Sequence, residues 1–439
     1  MGAKLYWNEE LETISRDALE NIQEGLLSEH LALAYNKSEY YREAFDKAGV
    51  KPEDFKKLSD ITKFPFVNKY IERERQLHKP LLGDMLAVEE EDVVFVSASS
   101  GSTGVPTLSP FTKKDFEEFQ DVQSRLFWAA GMRPKDRYVH ALNFTLFVGG
   151  PDVIGAQNLG ALCIWAGAIP SDRLLFILKE FQPTVIWTTP SYAWYLGETA
   201  KKQGIDPAKD LAINKIIVAG EPGGSIAATR ESIEALWDAE VYDFFGISDI
   251  FGACAGMCSE RNGLHLAEDH ILAEVIHPDT LEPVAEGERG EIVLTTLRKT
   301  ARPMIRFRTG DIGTINKERC NCGRTHARIN ITGRLDDMLI VSGVNVFPSD
   351  IEYVVRNMEE LSGEYRITAL TENFTTKFKV EVERAAGNEE SKEALAEKVS
   401  GRIKVRAGVK PKEVVVLENG ELPRATHKAK RLVDLRKEP

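Results

Sequence analysis

Four residues that commonly ligate metals occur in two short clusters of the sequence. Cys258 and His265 are separated by six residues, and Cys320 and Cys322 by one. Three thiolates and an imidazole form a closed tetrahedral set, which suits a structural Zn²⁺ ion. Because the clusters lie far apart in the chain, incidental buried cysteines remain an alternative. Three other candidates rank lower as ligands: Cys163, Cys254 and His326.

A run of glycine and hydroxyl residues follows a predicted strand over Val93–Ala98. It reads Ser99-Ser100-Gly101-Ser102-Thr103-Gly104-Val105-Pro106-Thr107. Its N–H groups and hydroxyls could bind phosphate oxygens, helped by the N-terminus of the helix expected after it. The Gly-Lys pair of a Walker A loop is missing, and Thr103 stands where a dinucleotide fingerprint has its second glycine. A flexible polar loop is the alternative.

The elements that must position these groups form an alternating pattern between Glu91 and Thr296. Short apolar, β-branched runs alternate with amphipathic stretches, which predicts βα units and a largely parallel sheet. The predicted strands are Val93–Ala98, Tyr138–Leu142, Ala161–Trp165, Thr184–Thr189, Lys215–Ala219, Val241–Phe245 and Glu291–Thr295. The predicted helices are Lys113–Gly131, Asp172–Phe181, Ser191–Gln203 and Ser225–Trp237. The fold class is therefore α/β, with a large core.

The chain divides into three parts by composition. Residues 1–90 are predicted to be mainly helical, residues 91–335 form the α/β core, and residues 336–439 form a small α+β domain. In the last part, Ile351–Arg356 begins a helix, Lys377–Val382 alternates like a strand, and Glu389–Ala407 is an amphipathic helix.

Composition excludes several classes of protein. The 439 residues are 43% hydrophobic and 28% charged, which is the ordinary globular mix rather than that of a disordered or fibrous chain. The formal net charge of −12 leaves no broad basic surface for nucleic acid or anionic lipid. Five cysteines are too few for a disulfide framework. With no secretory signal or long apolar run, a cytoplasmic protein without membrane or nucleic-acid partners is expected.

Several segments together resemble the phenylacetate-CoA ligase family of the adenylate-forming acyl-CoA synthetases. The Ser/Gly run resembles that family's phosphate loop, and other matching segments follow in the same order over roughly residues 90–435. These segments are Gly220-Glu221-Pro222, Phe245-Gly246-Ile247-Ser248-Asp249, Arg308-Thr309-Gly310-Asp311, Gly333-Arg334-Leu335-Asp336-Asp337, 342–352 and 422–431.

The resemblance implies an adenylate-forming core, a mobile C-terminal domain with its hinge at Asp336, and catalytic roles for two residues. Lys428 would bridge the acyl carboxylate and the α-phosphate, because joining two anions requires positive charge where negative charge accumulates. Asp249 would lie near the Mg²⁺ of Mg-ATP, directly or through water, since Mg²⁺ prefers oxygen ligands. A solvated basic tail and a surface turn are the respective alternatives.

The resemblance also assigns binding residues. Those expected at the nucleotide are Ser99, Ser100, Gly101, Ser102, Thr103, Gly104, Gly220, Glu221, Pro222, Phe245, Gly246, Asp311 and Arg334, with Asp311 at the ribose hydroxyls. Those expected at the acid are Phe144, Leu146, Phe147 and Ala219. The aromatic and apolar side chains among them favour an aryl or arylacetic acid. Asn143 and Thr145 depart from the family pattern and suggest a polar ring substituent or a differently shaped ring.

The implied function is that of an ATP-dependent acid–CoA ligase. It would form an aryl or arylacetyl-CoA thioester through an acyl-adenylate and release AMP and pyrophosphate. The implied cofactors are ATP, Mg²⁺, coenzyme A and structural Zn²⁺, with the zinc ligands at Cys258, His265, Cys320 and Cys322. A nucleotidyl transferase of the coenzyme F390 synthetase type and a non-catalytic binding regulator are alternatives, and a homodimer is left open.

Overall fold

The computed structural model describes residues 4–79, 81–99, 106–144, 149–341, 344–372, 375–424 and 431–437. The helices in these residues are α1 Glu9–Glu12, α2 Arg16–Lys37, α3 Glu39–Ala48, α4 Lys69–His78, α5 Lys113–Ala129, α6 Asp152–Leu159, α7 Ser171–Phe181, α8 Pro190–Lys202, α9 Pro207–Asp210, α10 Ala227–Trp237, α11 Pro348–Arg356 and α12 Lys392–Ala407.

The core strands are β1 Val93–Ala98, β2 Leu108–Thr112, β3 Arg137–His140, β4 Leu162–Trp165, β5 Val185–Thr188, β6 Lys215–Val218, β7 Glu240–Ile247, β8 Gly252–Gly256, β9 Leu264–Leu266, β10 Ile271–Ile276, β11 Gly290–Thr296, β12 Phe307–Asn316 and β13 Arg328–Arg334. The later strands are β14 Leu339–Val341, β15 Val344–Val346, β16 Leu361–Glu372, β17 Thr375–Arg384, β18 Glu413–Leu417 and β19 Leu432–Asp434.

One eleven-stranded sheet forms the centre of the described core, in the order β10-β11-β12-β13-β9-β8-β7-β6-β5-β3-β4. Strands β4, β3, β5, β6 and β7 run parallel. From β7 onward the neighbours are antiparallel. The prediction of a largely parallel sheet is therefore wrong for the second half, where short β-meander connections replace helical crossovers.

The strand before the Ser/Gly run also differs from its predicted place. β1 does not join the large sheet but pairs antiparallel with β2, as a separate hairpin. The run lies at the tip of this hairpin and is followed by a strand, so the expected helix N-terminus behind it is absent from the described structure.

The N-terminal part is helical, as predicted, and its apolar stripe packs against the core. Ser15 caps α2 by accepting a hydrogen bond from the Ala18 N–H. Leu27 and Leu31 of α2 and Phe45 of α3 are fully buried in the main hydrophobic cluster. Helices α2 to α4 thus cover the antiparallel half of the sheet and bring α4 to the base of the hairpin.

The C-terminal part is a small α+β unit. Its four-stranded sheet has the order β18-β17-β16-β19, and α11 and α12 pack against it through Ile351, Val380 and Ile403. These elements confirm the predicted fold class, while the three domain boundaries remain predictions. In the described residues, no helix combines the length and apolar character needed to span a membrane.

Candidate active site

The base of the hairpin holds the described ends of the Ser/Gly run. The Ser99 N–H donates to the Thr107 carbonyl at 3.0 Å, and the two hydroxyls lie 2.9 Å apart. Gln76 of α4 fixes the second strand, because its side chain accepts from the Leu108 N–H at 2.7 Å and donates to the Pro106 carbonyl at 3.0 Å. The predicted binding residues that lie outside the described residues here are Ser100, Gly101, Ser102, Thr103 and Gly104.

Asp249 lies beside this hairpin base, buried to 3% exposure. Lys69 at the start of α4 donates to Asp249 Oδ1 at 2.6 Å, and Thr107 Oγ1 lies 3.5 Å from the same oxygen. Burial by itself would raise the pKa of Asp249, but Lys69 and Arg302 lower it below its ordinary value. The carboxylate is therefore ionised and adjacent to the phosphate-binding candidate.

Two further buried charges complete a four-residue network, the Asp249 cluster, formed by Lys69, Glu72, Asp249 and Arg302. Lys69 Nζ lies 3.1 Å from Glu72, whose other oxygen contacts Arg302. Arg302 lies 3.9 Å from Asp249. Burial raises the pKa of Glu72, although Arg302 and Lys69 oppose that shift. Two cations and two carboxylates thus share one buried space.

Lys299 anchors the same region from behind. Its ammonium donates to Ser109 Oγ on β2 and, at 3.1 Å, to the backbone carbonyl of Asp249. Burial lowers the pKa of Lys299 to about 7. Sequence reasoning missed Lys69, Glu72, Lys299 and Arg302. The segment after β11 is basic, and nothing local in it marks Lys299 and Arg302 for burial. Lys69 and Glu72 likewise lie in a generally charged stretch.

The predicted adenine-binding segment follows β6. Gly220 has a φ of +89°, a backbone conformation that glycine adopts without strain. Glu221 accepts from the Ser191 N–H at 2.8 Å and so joins this segment to the start of α8. On the neighbouring strand β7, Phe245 is half-buried, and a side chain at Gly246 would collide with the Gly252 carbonyl. The segment therefore lies at the carboxyl ends of parallel strands, where ligands of such sheets bind.

Asp311 forms a second polar group on the antiparallel half. Asp311 and Arg334 are register partners on β12 and β13, and Arg334 Nη1 lies 2.9 Å from Asp311 Oδ1. Arg334 also donates to the exposed Asp336 at 2.9 Å. Burial raises the pKa of Asp311 to about 6, although Arg334 opposes the shift. The predicted ribose ligand and the predicted hinge are thus linked by one guanidinium.

The predicted acid-binding residues are only partly described. Phe144 follows β3, and its ring stacks on Trp165 with centroids 5.4 Å apart and planes inclined by 11°. Ala219, after β6, packs against the same main hydrophobic cluster as Phe144. Leu146 and Phe147 lie outside the described residues, as does Lys428. The described part is an aromatic and apolar surface.

The four predicted zinc ligands come together in the fold. The ligand atoms of Cys258, His265, Cys320 and Cys322 all lie within 4.8 Å of one another. Cys258 Sγ and Cys320 Sγ are 3.8 Å apart, which matches the edge of about 3.8 Å in a tetrahedron with Zn–S bonds of about 2.3 Å. The donor set and its spacing thus fit zinc.

The surroundings of this cluster also fit a metal site. His265 Nδ1 lies 2.9 Å from the His326 carbonyl, so Nδ1–H donates there and Nε2 faces Cys322 at 3.5 Å. His326 itself is engaged by backbone groups, with Nε2 3.0 Å from the Leu11 carbonyl. Cys254 and Cys163 do not belong to the cluster. The positions of Cys163, Cys254 and His326 therefore agree with the prediction that these residues are less suitable as metal ligands.

Comparison with known proteins assigns the family. Residues 29–297 match the family described as AMP-binding enzyme, and residues 343–436 match the AMP-binding enzyme C-terminal domain. The chain belongs to the AMP-binding enzyme family. Its residues 29–297 include the hairpin, Asp249 and the parallel half of the sheet, so the candidate site lies mainly in the matched region of this AMP-binding enzyme.

Curated relatives match the AMP-binding enzyme over nearly its full length. The phenylacetate-coenzyme A ligase of Thermus thermophilus is 36% identical over 99% of this chain and 100% of the relative. That of Escherichia coli is 35% identical over 97% of each chain. The resemblance to the phenylacetate-CoA ligase family is thereby confirmed.

A solved structure of 2-hydroxyisobutyryl-CoA ligase, in a postadenylation state with R3-HIB-AMP, is 28% identical. It covers 99% of this chain and 93% of its own, with a TM-score of 0.92. Together with the curated relatives, it confirms the prediction of an AMP-forming acid–CoA ligase that acts through an acyl-adenylate. The comparisons give no support to the coenzyme F390 synthetase alternative.

Proposed function

We propose that this AMP-binding enzyme joins an aryl or arylacetic acid to coenzyme A. The observation that carries the proposal is the 36% identity to a phenylacetate-coenzyme A ligase over the whole length of both chains. The aromatic surface at Phe144 and Trp165 supports it, because flat rings gain affinity from apolar burial and ring packing.

In the first half-reaction, the acid attacks the α-phosphate of ATP and pyrophosphate leaves. Lys428 would neutralise the charge of the two anions at the reacting atoms. Asp249, with the Thr107 hydroxyl beside it, offers hard oxygen donors that fit Mg²⁺, which screens phosphate charge when bound. Asp311 would accept hydrogen bonds from the ribose hydroxyls, and Gly220, Glu221, Pro222, Phe245 and Gly246 would surround the adenine.

In the second half-reaction, the thiol of coenzyme A attacks the acyl carbonyl and AMP leaves. The C-terminal domain would turn about Asp336 between the two steps, taking Lys428 away. The ligase for 2-hydroxyisobutyrate supports this motion, because its postadenylation structure has a TM-score of 0.92 to this chain and its thioesterification structure only 0.74. The present arrangement corresponds to the first of these states.

The remaining assignments belong to the same proposal. Structural Zn²⁺ would be held by Cys258, His265, Cys320 and Cys322, where it stabilises the fold and takes no part in the reaction. The domain limits 1–90, 91–335 and 336–439 would separate the helical part, the core and the mobile domain. The enzyme would act in the cytoplasm, and a homodimer is the proposed assembly.

A panel of acids tests this function directly. Pyrophosphate release and CoA-dependent AMP release are measured with benzoate, phenylacetate, hydroxylated and bicyclic aryl acids, and short and long aliphatic acids. We expect the highest kcat/KM for an aromatic acid, and AMP release that requires CoA. A tenfold preference for an aliphatic acid, about 1.4 kcal/mol in transition-state binding, would overturn the aryl assignment.

A further inference from the structure

Helix α11 of the small C-terminal domain contacts the core at both of its ends. At its start, the Ser349 hydroxyl donates to the Thr332 carbonyl on β13. At its end, the Arg356 guanidinium lies 4.6 Å from the centre of the Trp194 ring, which belongs to α8 of the core. One helix therefore joins the small domain to two different parts of the core.

The guanidinium of Arg356 is oriented by its own domain. Its side chain is only 3% exposed. Glu352 lies 3.8 Å and Glu364 lies 3.9 Å from it, distances that exceed those of hydrogen bonds. Nε and Nη1 of Arg356 have no hydrogen-bond partner among the described residues. The two carboxylates therefore hold the cation by charge, and it meets the core at the ring of Trp194.

A guanidinium that lies over an indole ring forms a cation–π pair, which is stronger where water is excluded. Trp194 is half-buried, and Arg356 is almost completely shielded from solvent. A pair of this kind shifts the equilibrium between two conformations by about tenfold when only one conformation contains it. The contact is therefore strong enough to bias the orientation of a whole domain.

The place of this pair makes it sensitive to domain rotation. Ser349 is held by β13, the strand that leads into the predicted hinge at Asp336. Arg356 lies at the opposite end of α11, about 10 Å further along the helix axis at ~1.5 Å per residue. A rotation about Asp336 therefore displaces Arg356 more than Ser349 and separates it from Trp194.

The core side of the pair lies next to the predicted adenine segment. The Ser191 N–H at the start of α8 donates to Glu221 at 2.8 Å. Burial raises the pKa of Glu352 on α11, and Arg356 opposes this shift while the charge of Glu221 adds to it. The two elements therefore meet beside the nucleotide end of the sheet.

We propose that the pair of Arg356 and Trp194 holds the small domain in the orientation of the first half-reaction, with Arg356 as a positioning residue. This inference rests on the proposed function and its domain motion, and it names a contact that biases that motion. Loss of the pair should favour the orientation of the second half-reaction and leave the reacting groups of both steps unchanged.

The test measures the two half-reactions separately in the full-length enzyme, with the acid of the panel that has the highest kcat/KM. The first is pyrophosphate release from ATP and the acid, and the second is thioester formation from supplied acyl-adenylate and CoA. Because each step uses one orientation, the ratio of the first rate to the second follows the ratio of the two populations, whichever population dominates.

We expect this ratio to fall about tenfold in Trp194→Leu and in Arg356→Met, which remove the two halves of the pair. Trp194→Phe keeps an aromatic face and should retain most of the wild-type ratio. The double variant Trp194→Leu/Arg356→Met should show no larger fall than either single variant, because all three lose the same contact. A merely structural role of either residue would lower the melting temperature and both rates together, without changing their ratio.

Tyr353→Leu is the matched control. Arg406 lies 4.4 Å from the centre of the Tyr353 ring, so this variant removes a cation–π pair of the same helix whose two members both belong to the small domain. Its ratio should equal that of the wild type. An unchanged ratio in folded Trp194→Leu and Arg356→Met, or an equal fall in Tyr353→Leu, would overturn the inference.

Failure of the proposed function gives different results. If no acid releases pyrophosphate, the proposed ligase activity fails. If Lys428→Ala slows both half-reactions equally, the proposed domain motion fails. If Lys428→Ala separates the two steps and the Trp194 and Arg356 variants do not change their ratio, the motion stands and the assignment of Arg356 as a positioning residue is wrong.

Discussion

Lys69 Nζ lies between two buried carboxylates, 2.6 Å from Asp249 and 3.1 Å from Glu72. Its helix α4 also holds the hairpin through Gln76. One short helix of the N-terminal part therefore fixes both the proposed magnesium ligand and the strand that leads out of the Ser/Gly run. Under the proposed function, helix α4 therefore contributes to the active site as well as covering the sheet.

The Asp249 cluster predicts a specific pattern of stability. Arg302→Met should lower the free energy of unfolding by about 3–5 kcal/mol, because Glu72 would be left buried beside Asp249 with Lys69 as the remaining cation of the cluster. Glu72→Leu/Arg302→Leu should recover much of that loss, since neither charge then remains. Urea unfolding of the single and double variants measures the coupling. Equal losses in the single and the double variant would contradict this account.

The same variants should separate stability from nucleotide binding. We expect Arg302→Met to raise the KM for Mg-ATP, because Asp249 loses a cation that fixes its position. Arg125→Met is the control: Arg125 forms an equally buried pair with Asp269 at 2.6 Å but does not contact the Asp249 cluster. It should lower the melting temperature comparably and leave the KM for Mg-ATP unchanged.

Asp311 predicts a pH dependence of nucleotide binding. Its pKa is about 6 in the folded protein, against an ordinary value of 3.8. The folded protein therefore binds a proton between about pH 4 and 6 that the unfolded chain does not. The ionised group destabilises the nucleotide-free fold above pH 6, and this destabilisation is lost as the pH falls from 6 to 4. In the proposed function, the ribose hydroxyls donate to the ionised carboxylate of Asp311, which accepts more strongly than the protonated group.

It follows that the rise in melting temperature caused by saturating AMP should shrink as the pH falls from 7 to 5. Asp311→Asn should give a small AMP-induced shift at every pH. A wild-type shift that is constant over this range would exclude Asp311 as a titrating nucleotide ligand.

The Cys/His cluster predicts a structural metal. Purified protein should contain close to one equivalent of zinc, and Cys322→Ser should lower both the zinc content and the melting temperature before it changes the order of preferred acids. Cys163→Ser is a matched control, because Cys163 is a thiol on β4 outside the cluster. Less than about half an equivalent of zinc under metal-replete conditions would count against a four-ligand site.

Lys428 predicts a separation of the two half-reactions. Lys428→Ala should abolish acid-dependent pyrophosphate release and leave thioester formation from supplied acyl-adenylate largely intact, because the second step uses the other domain orientation. Lys430→Ala removes a positive charge two residues further along the sequence, and this variant should affect neither step strongly. Equal loss of both steps in Lys428→Ala would refute the assignment.

Local patterns placed the named core elements well, because periodicity and capping residues are local properties, but strands β2, β8, β9, β10, β12 and β13 were not predicted. Strands β3 to β7 and helices α5, α7, α8 and α10 lie within a few residues of their predictions. It was harder to predict which strands pair with each other and in which direction they run. Nothing local in Val93–Ala98 distinguishes a hairpin strand from a central one, and Glu291–Thr295 has the same apolar character whether its neighbours run parallel or antiparallel.

The sequence predicted those parts of the candidate site whose residue types are unusual, such as the Cys/His cluster. It did not predict the charged residues that are buried in the fold. The Cys/His cluster assembles from two distant segments, as the ligand chemistry required. Lys69 and Glu72 could not be distinguished from solvated helix charges by sequence, because their burial depends on the hairpin and on the segment after β11.

The segment that contains Cys320 and Cys322 also holds residues 6–12. Tyr6 donates to the Cys322 carbonyl at 3.1 Å, and Arg324 pairs with Glu12 at 2.7 Å, so residues 6–12 dock on a turn more than 300 positions later. During synthesis, residues 6–12 must therefore wait until the segment around Cys322 and Arg324 has been translated before they find their binding surface. Their docking follows the synthesis of that segment and is coupled to the arrival of Cys320 and Cys322, two of the predicted zinc ligands.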